Sequence, residues 1–276
     1  MLISCGYTIA FSAERATPMI ALLSIRPERR RDLRCPHRIS LAPDVPRFDF
    51  VDGFGNVCTR LTVPAGGIEL SCDFVVEDSG KPEPVTLDAN EHPIERLPDE
   101  VLPFLLPSRY CESDLLGKTA WDLFGHIEPG WTRVQEIVDF THGRIAFGYE
   151  DANRYRTAMG AFDQRVGVCR DYAHLAIALC RAMNIPARYC TGYLGDIGIA
   201  PVDLPMDFSA WIEVWLGDRW HTFDPRHNRR RIGRVLMAVG RDAADAALTT
   251  AFGPVALRNF EVRCEETVSA RARVAA

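Results

Sequence analysis

A cysteine at the start of a predicted helix is the residue of this sequence best placed for chemistry. The run GVCRD at residues 167–171 precedes apolar residues at helical spacing, which puts Cys169 in the first turn. There the positive end of the helix dipole and unpaired backbone N–H groups favour a thiolate, the nucleophilic form of cysteine. The same N–H groups can bind an oxyanion. We therefore expect Cys169 to attack an acyl carbon, with a pKa below the ordinary value of roughly 8.5.

Two blocks of the sequence resemble the bacterial transglutaminase-like family. In GVCRDYAHLAIALCRAMNIPARYCTGYL, residues 167–194, a Cys opens a helix that leads through an I-P-A-R turn into a strand. In SAWIEVWLGDRWHTFDPRHN, residues 209–228, a hairpin ends in the Asp of an F-D-P turn, and LPSRYCESD at 106–114 is also similar. The resemblance implies a papain-like α+β domain with Cys-His-Asp chemistry on amide or thioester carbonyls, as a transglutaminase, protease or peptide amidase. It makes Cys169 the nucleophile and Asp224 the orienting carboxylate.

One position departs from the family pattern. Ser209-Ala210-Trp211 stands where the family has His-Ala-Trp, so the expected histidine falls on Ser209. A serine hydroxyl cannot act as a base near neutral pH or protonate a leaving amine, as imidazole can. The general base therefore comes from elsewhere or is absent.

Four other histidines are possible replacements. His227 lies three residues past the F-D-P aspartate, in an irregular segment that can aim its imidazole at the site, and is the best candidate. His174 is five residues into the helix and about 140° around its axis from the cysteine, so it cannot face the thiol. His221 lies on the opposite strand face unless a bulge shifts the register. His142, at the end of the preceding helix, is expected to interact with that helix's dipole.

Two carboxylates are weaker candidates. If the hairpin turns at Gly217-Asp218, Ser209 and Glu213 share a strand face with Asp224, and a desolvated Glu213 can accept a proton. Asp171, near the helix start, is expected to act as an N-terminal charge instead of a catalytic acid.

Composition and motifs exclude several other functions. The 276 residues carry a net charge of −5 without a long basic stripe, so nucleic acid is not an expected partner. No Gly-rich phosphate loop, H-E-x-x-H or dinucleotide fingerprint occurs, so neither a cofactor nor a metal is expected. No apolar run approaches the roughly 20 residues of a membrane helix. The expected partner is a peptide or protein substrate, or a small amide; the sequence does not indicate an oligomeric state.

The cysteines indicate the compartment. There are nine, an odd number, and no C-x-x-C pair, which argues against a disulfide framework and a zinc site. Residues 1–15 lack a basic start and a full apolar run, which is typical of a strand and not of a signal peptide. We therefore expect a cytoplasmic protein.

The pattern of elements predicts an N-terminal β-rich domain at 1–95, built as a β-sandwich, and a transglutaminase-like α+β domain at 96–276. A hairpin is expected at 48–63, and the Pro-rich residues 78–107 are expected to form the connector. In the second domain, a helix from Cys169 packs on an antiparallel sheet of strands at 187–194, 209–216 and 219–225. A preceding helix is expected to begin at a Thr132 cap and close at Gly143.

Two functions remain open at this point. The first is a thiol enzyme that cleaves peptide, isopeptide or amide bonds, or transfers their acyl group, through an acyl-Cys169 intermediate. The second is a catalytically impaired peptide-binding or scaffold protein that lost turnover when Ser replaced His at 209. The retained Cys169 and Asp224 favour the enzyme.

Overall fold

A computed structural model describes residues 1–202 and 205–267 of the chain. The described strands are β1 (Leu2–Ser12), β2 (Thr17–Ala21), β3 (Ser40–Ala42), β4 (Arg47–Val51), β5 (Val57–Val63), β6 (Ile68–Glu77), β7 (Ala146–Phe147), β8 (Val166–Gly167), β9 (Ala187–Leu194), β10 (Ser209–Leu216), β11 (Arg219–Phe223), β12 (Arg234–Gly240), β13 (Thr249–Ala251) and β14 (Ala256–Thr267). The α-helices are α1 (Gly117–Phe124), α2 (Trp131–Arg144), α3 (Ala158–Gln164) and α4 (Cys169–Ala182). None of these helices has the length and apolar character needed to cross a membrane.

The N-terminal strands form a β-sandwich, as the sequence predicts. One sheet has the order β14-β1-β6-β3 and the other β13-β2-β5-β4. Burial alternates along β6, so that every second side chain enters the space between the sheets. The predicted hairpin is confirmed, with Val51 of β4 paired to Val57 of β5.

Both sheets of the sandwich are completed by strands from the far end of the chain. Strand β14 pairs antiparallel with β1 from Leu2↔Thr267 to Ser12↔Ala256, and β13 pairs with β2. The predicted division at residue 95/96 therefore does not coincide with the limits of the sheets, because residues beyond it belong to the sandwich. As a division into folding units, it stays a prediction.

The α+β unit is built on the antiparallel sheet β11-β10-β9-β12. Helix α4 packs against β9 and β10 on one side and against α1, α2 and α3 on the other. The hairpin turns where predicted, with Leu216 paired to Arg219 around Gly217 and Asp218, which both have positive φ. This arrangement confirms the predicted helix on an antiparallel sheet and places the start of α4 near the first residues of β10.

Helix α2 begins and ends differently from the prediction. Its first residue is Trp131, after Gly130 at φ 107°, and no side chain caps it, so the predicted Thr132 cap is wrong. Gly143 lies inside the helix, which continues to Arg144. Residue 130 has to be glycine because a Cβ there would lie 2.7 Å from the carbonyl oxygen of Ala89 in the connector. The connection between α2 and the connector therefore sets the helix start.

The Pro-rich connector at 78–107 contains no strand and only two 3₁₀ turns, at Ile94–Arg96 and Leu102–Leu105. It lies against the α+β unit, and the carbonyl of Ala89 accepts a hydrogen bond from Trp131 N–H at 3.0 Å.

Candidate active site

Cys169 is the first residue of α4, and its position is fixed by the turn that precedes it. Asp171 accepts a hydrogen bond from the Val168 N–H at 2.9 Å, which closes the first turn of the helix. The same carboxylate oxygen of Asp171 lies 3.0 Å from Arg156 Nη1 in a buried ion pair. A Cβ at Gly167 would lie 2.6 Å from that oxygen, so a side chain there would displace it. Asp171 therefore acts as the N-terminal charge that the sequence predicts.

The expected low pKa of Cys169 is wrong for this structure. Burial, the largest cause, raises the pKa of the Cys169 thiol to about 11, and the nearby Asp207 carboxylate adds to the shift. The Arg226 guanidinium and the backbone N–H groups of Ala210 and Arg170 oppose the shift but do not outweigh it. Cys169 is half-buried, and the packing that covers part of it favours the neutral thiol; the helix dipole is too weak to reverse this. The thiol is therefore protonated near neutral pH, and attack requires a base.

Arg226 and Asp207 are site residues that sequence reasoning missed. The Arg226 guanidinium stacks on the Phe147 ring, with Cζ 3.9 Å from its centroid, and lies close to Tyr149. Burial raises the pKa of Asp207, and Arg226 partly offsets this. Arg226 follows the F-D-P turn directly, which was an available signal, whereas Asp207 lies in a loop without a recognisable pattern.

Asp224 lies buried just after β11 and holds the turn that follows. Its Oδ1 accepts the backbone N–H of His227 at 3.0 Å, and its Oδ2 accepts Arg234 Nη2 at 2.6 Å. Oδ2 also lies 2.9 Å from His227 Nδ1. Arg234 and His227 together hold the pKa of the Asp224 carboxyl far below its usual range, although burial alone would raise it. The carboxylate is therefore ionised and can orient an imidazole, as the resemblance implies.

His227 carries the imidazole that Asp224 orients. A carboxylate can only accept, so Nδ1 of His227 donates and Nε2 of the neutral ring is left as the basic nitrogen. His142 Nδ1 lies 3.2 Å from the carbonyl oxygen of Pro225 and supports the same turn. His142 therefore contacts the turn that carries His227.

His227 lines a cavity of about 280 Å³ together with Cys169 and Ser209. We call this the arginine cavity because Arg226, Arg229 and Arg231 line it as well. Of the four predicted site residues, three border one cavity, and the fourth, Asp224, hydrogen-bonds His227.

Ser209 begins β10 and is paired with Gly192 of β9. It is 7% exposed, and its carbonyl accepts a hydrogen bond from Thr191 Oγ1 at 3.1 Å. The backbone of the next residue, Ala210, contributes one of the N–H groups near the Cys169 sulfur. Ser209 thus occupies the position beside the thiol where the family pattern has histidine, without supplying a base.

Two other histidines have structural partners. His174 Nε2 accepts the Ala243 N–H at 3.1 Å, and its ring stacks on Tyr110 with centroids 5.1 Å apart. Complete burial holds the pKa of His174 well below its usual value. His221 Nε2 lies 3.1 Å from the Leu216 carbonyl oxygen, beside the hairpin turn. As predicted, neither belongs to the site.

Glu213 is also engaged elsewhere. Its carboxylate lies 2.6 Å from Arg188 Nη2 on the neighbouring strand. The residues of β10 that pack on α4 are Ala210, Ile212, Val214 and Leu216, so Glu213 lies on the opposite face of the sheet. Only the first residues of β10 reach the thiol, and Glu213 is excluded as the proton acceptor.

Within residues 1–202 and 205–267, no group of three or more His, Cys, Asp or Glu side chains is placed to hold a metal ion. The carboxylate of Asp242, in the loop after β12, instead accepts the backbone N–H groups of Tyr110 at 2.7 Å and Ala244 at 2.8 Å.

Comparison with known proteins shows the family of this fold. The sequence profile of the transglutaminase-like superfamily matches residues 119–225, which include Cys169, Ser209 and Asp224. A solved structure from Cytophaga hutchinsonii, described as a candidate cysteine protease, is 31% identical. The similarity covers 98% of this chain and 91% of that one, with a TM-score of 0.82. The chain therefore belongs to the transglutaminase-like superfamily, with its α+β core and cysteine-protease-like fold.

Curated relatives extend over most of the chain as well. An uncharacterised protein of Mycobacterium leprae is 24% identical over 246 residues, covering 87% of this chain and 85% of its own length. One of Mycobacterium tuberculosis is 26% identical over 235 residues, covering 77% of this chain and 74% of its own length.

Proposed function

We propose that this protein is a thiol-dependent acyl-transfer enzyme or hydrolase that acts on peptide, isopeptide or amide bonds through an acyl-Cys169 intermediate. The observation that carries the proposal is the hydrogen bond between Asp224 and His227, together with the cavity that His227 shares with Cys169. His227 supplies the imidazole that Ser209 does not.

In the acylation half-reaction, His227 Nε2 takes the proton of the Cys169 thiol as the sulfur attacks the substrate carbonyl carbon. The N–H groups of Ala210 and Arg170, close to the sulfur, are suited to stabilising the negative oxygen of the tetrahedral intermediate. Collapse of the intermediate breaks the C–N bond, and His227 returns the proton to the leaving amine. A thioester on Cys169 remains.

The second half-reaction releases the acyl group. Water or an acceptor amine attacks the thioester carbonyl while His227 takes a proton from the attacking nucleophile. The C–S bond then breaks, and the sulfur is reprotonated by His227. Water yields a carboxylate, whereas an amine yields a new amide. Asp224 stabilises the imidazolium that forms in both halves, and Arg234 keeps the carboxylate ionised.

Mass-mapped acylation tests this proposal. The protein is incubated with a neutral activated ester, and the digest is searched for the acyl adduct. We expect the adduct on Cys169 and its absence in Cys169→Ala, whereas Cys35→Ala, which removes another cysteine that is not fully buried, behaves as wild type. Acylation distributed over the thiols irrespective of Cys169 would contradict the proposal.

A second candidate function is peptide binding without turnover. It is favoured by Ser209 at the histidine position and by the pKa of about 11 for the Cys169 thiol. It predicts that peptides bind the wild type without cleavage and that His227→Gln leaves the reactivity of Cys169 unchanged.

We further propose that the protein works in a reducing compartment, the cytoplasm. All nine cysteines are free thiols in the structure. Cys5 and Cys264 lie opposite each other on paired strands, with sulfur atoms 3.6 Å apart, close enough that an oxidising compartment would favour their pairing. Cell fractionation followed by thiol counting tests this, since secretion with a Cys5–Cys264 disulfide would overturn it.

A further inference from the structure

Two cavities meet at the Cys169 thiol. The arginine cavity lies on one side; on the other is a cavity of about 1050 Å³ that we call the tyrosine cavity, because Tyr110, Tyr155 and Tyr189 line it. Cys169 and the neighbouring residues Asp207 and Phe208 border both cavities. A chain molecule with its scissile carbonyl at the sulfur can therefore place one arm in each cavity.

Among the described residues, two of the three arginines in the arginine cavity lack a carboxylate partner. Arg231 is paired with Asp196, 3.7 Å away, and donates to the carbonyl of Gly195 at 2.7 Å. Arg226 is held by stacking on an aromatic ring instead of by a carboxylate, and Arg229 is exposed. Within residues 1–202 and 205–267, neither Arg226 nor Arg229 forms an ion pair.

The tyrosine cavity also contains an arginine that is held by an aromatic ring and not by a carboxylate. Arg154 stacks on the Tyr155 ring, with Cζ 4.7 Å from its centroid, and donates to the Tyr155 hydroxyl at 2.6 Å. Arg170 lies 5.3 Å from the centroid of Tyr110, but its Nη2 is already paired with Asp171 Oδ1, 3.8 Å away, and donates to the Asn153 carbonyl. Stacking fixes a guanidinium while leaving N–H edges free, and those edges match the geometry of a carboxylate. Arg154 forms no ion pair in the described part of the chain.

Carboxylates in the two cavities do not balance these arginines. Among the described lining residues, Asp196 is already paired with Arg231, and Asp207 is shared by both cavities. Within residues 1–202 and 205–267, three arginines without an ion pair, at 154, 226 and 229, therefore face one carboxylate, Asp207, beside the sulfur. Their positions on both sides of the thiol favour a ligand with negative charge on both sides of the reacting carbonyl.

The tyrosine cavity also borders a free strand edge. Thr249 and Thr250 of β13 line it, and among the described strands β13 is the edge strand of its sheet, paired only with β2. An edge strand offers backbone N–H and C=O groups that can pair with an extended peptide. This edge favours a polypeptide over a compact anion.

We propose that the acyl donor of this site is an acidic peptide, bound as an extended chain with carboxylate side chains in both the arginine and the tyrosine cavities. The inference rests on the proposed function, since Cys169 marks the position of the scissile bond. Arg154 and Arg229 each contact one arm of the chain, and β13 pairs with its backbone.

The test uses the full chain with Cys169→Ala, which binds without turnover. Fluorescence anisotropy compares a labelled peptide rich in Asp and Glu with the same peptide carrying Asn and Gln. We expect the acidic peptide to bind at least about 10-fold more tightly, with the preference weakening as salt rises from about 0.05 to 0.3 M. Arg154→Gln and Arg229→Gln should each remove about 3- to 10-fold of the affinity for the acidic peptide and little for the neutral one. Arg31→Gln, which removes the same charge at an 86% exposed side chain outside both cavities, is the matched control.

Equal affinity for the acidic and neutral peptides, or a preference that survives the Arg154→Gln/Arg229→Gln double variant, would overturn the inference. So would inorganic polyphosphate competing as strongly as the acidic peptide, because that would show a general anion site. The two proposals fail separately. Acylation of Cys169 by a neutral ester without an acidic preference upholds the enzyme and removes this inference. Selective binding of the acidic peptide without any acylation contradicts the enzyme; it leaves an acidic-peptide site but overturns the role of that peptide as acyl donor.

Discussion

His227 Nδ1 lies 2.9 Å from Oδ2 of Asp224, three residues earlier in the same turn. In the family pattern the imidazole that pairs with this aspartate comes from the start of the neighbouring strand, where this chain has Ser209. The carboxylate is thus retained, and its imidazole partner comes from the turn itself. Because Nδ1 is engaged by the carboxylate, Nε2 is the nitrogen left for proton transfer.

The pH dependence of Cys169 modification is the first prediction. Burial raises the pKa of this thiol to about 11, so its alkylation by a small neutral reagent should keep increasing above the pH at which ordinary thiols are fully ionised. Asp207→Asn should lower the midpoint and Arg226→Gln should raise it, since the first removes a negative and the second a positive charge near the sulfur. Peptide mapping of the alkylation rate against pH gives the midpoint. A midpoint below the ordinary value in the wild type would contradict the described burial.

Asp224→Asn should reduce both turnover and acid-dependent stability. Loss of the orienting carboxylate is expected to reduce kcat by roughly 10²- to 10⁴-fold, because the imidazole is no longer held in the required tautomer and its protonated form loses a negative partner. The folded-state pKa of Asp224 is depressed, so its contribution to stability is fully present above the unfolded value of about 3.9 and is lost as pH falls below it. Urea unfolding should therefore show wild type more stable than the variant at neutral pH. A difference that stays constant down to about pH 2 would contradict this assignment.

The missing family histidine can be restored. Ser209 borders the arginine cavity with Cys169, so Ser209→His places an imidazole beside the thiol. We expect His227→Gln to lower acylation by about 10²-fold or more and Ser209→His to recover part of this loss in the double variant. Single-turnover acylation of the four proteins measures the coupling between the two positions. No recovery, in a double variant with wild-type thermal stability, would show that position 209 no longer lies where an imidazole can serve the thiol.

The turn that positions Cys169 depends on a buried ion pair. Arg156→Ala should destabilise the protein by about 3 kcal/mol, because the buried Asp171 carboxylate loses its closer partner, 3.0 Å away, and keeps only Arg170 at 3.8 Å. Asp171→Asn in the same background should recover part of the loss, since it removes the buried charge. Urea unfolding measures both, and Arg31→Ala serves as the exposed control. A loss below about 1 kcal/mol for Arg156→Ala would show that Asp171 is solvated or paired otherwise.

Much of the α+β core could be predicted from the sequence because its signals are local. Strands β9 and β10 occupy 187–194 and 209–216 as predicted, since turn residues bracket each apolar run. Asn184 and Asp218 take the positive φ values that such turns use. The start of α4 at Cys169 is also predicted by a local signal, the apolar residues at helical spacing that follow it.

The remaining features depend on parts of the chain that are far apart in sequence. The pairing of β14 with β1 joins the two ends of the chain, and no local pattern reports a partner more than 200 residues away. The sequence predicts a lowered pKa for Cys169, which is wrong because the pKa depends on what packs around the sulfur, including Asp207 from a distant loop. Arg154 is far in sequence from Arg226 and Arg229, so no local pattern predicts that they lie on two sides of one thiol.

The role of His227 as the base for Cys169 is tested most directly by comparing reactions that need a base with one that does not. Acylation by a neutral ester near pH 7 requires proton removal from a thiol whose pKa is about 11, whereas alkylation above about pH 10 uses thiolate formed by the solvent. We predict that His227→Gln slows the first by about 10²-fold or more and leaves the second unchanged, with the exposed His126→Gln as control. Equal acylation rates in His227→Gln and wild type at neutral pH would contradict the account.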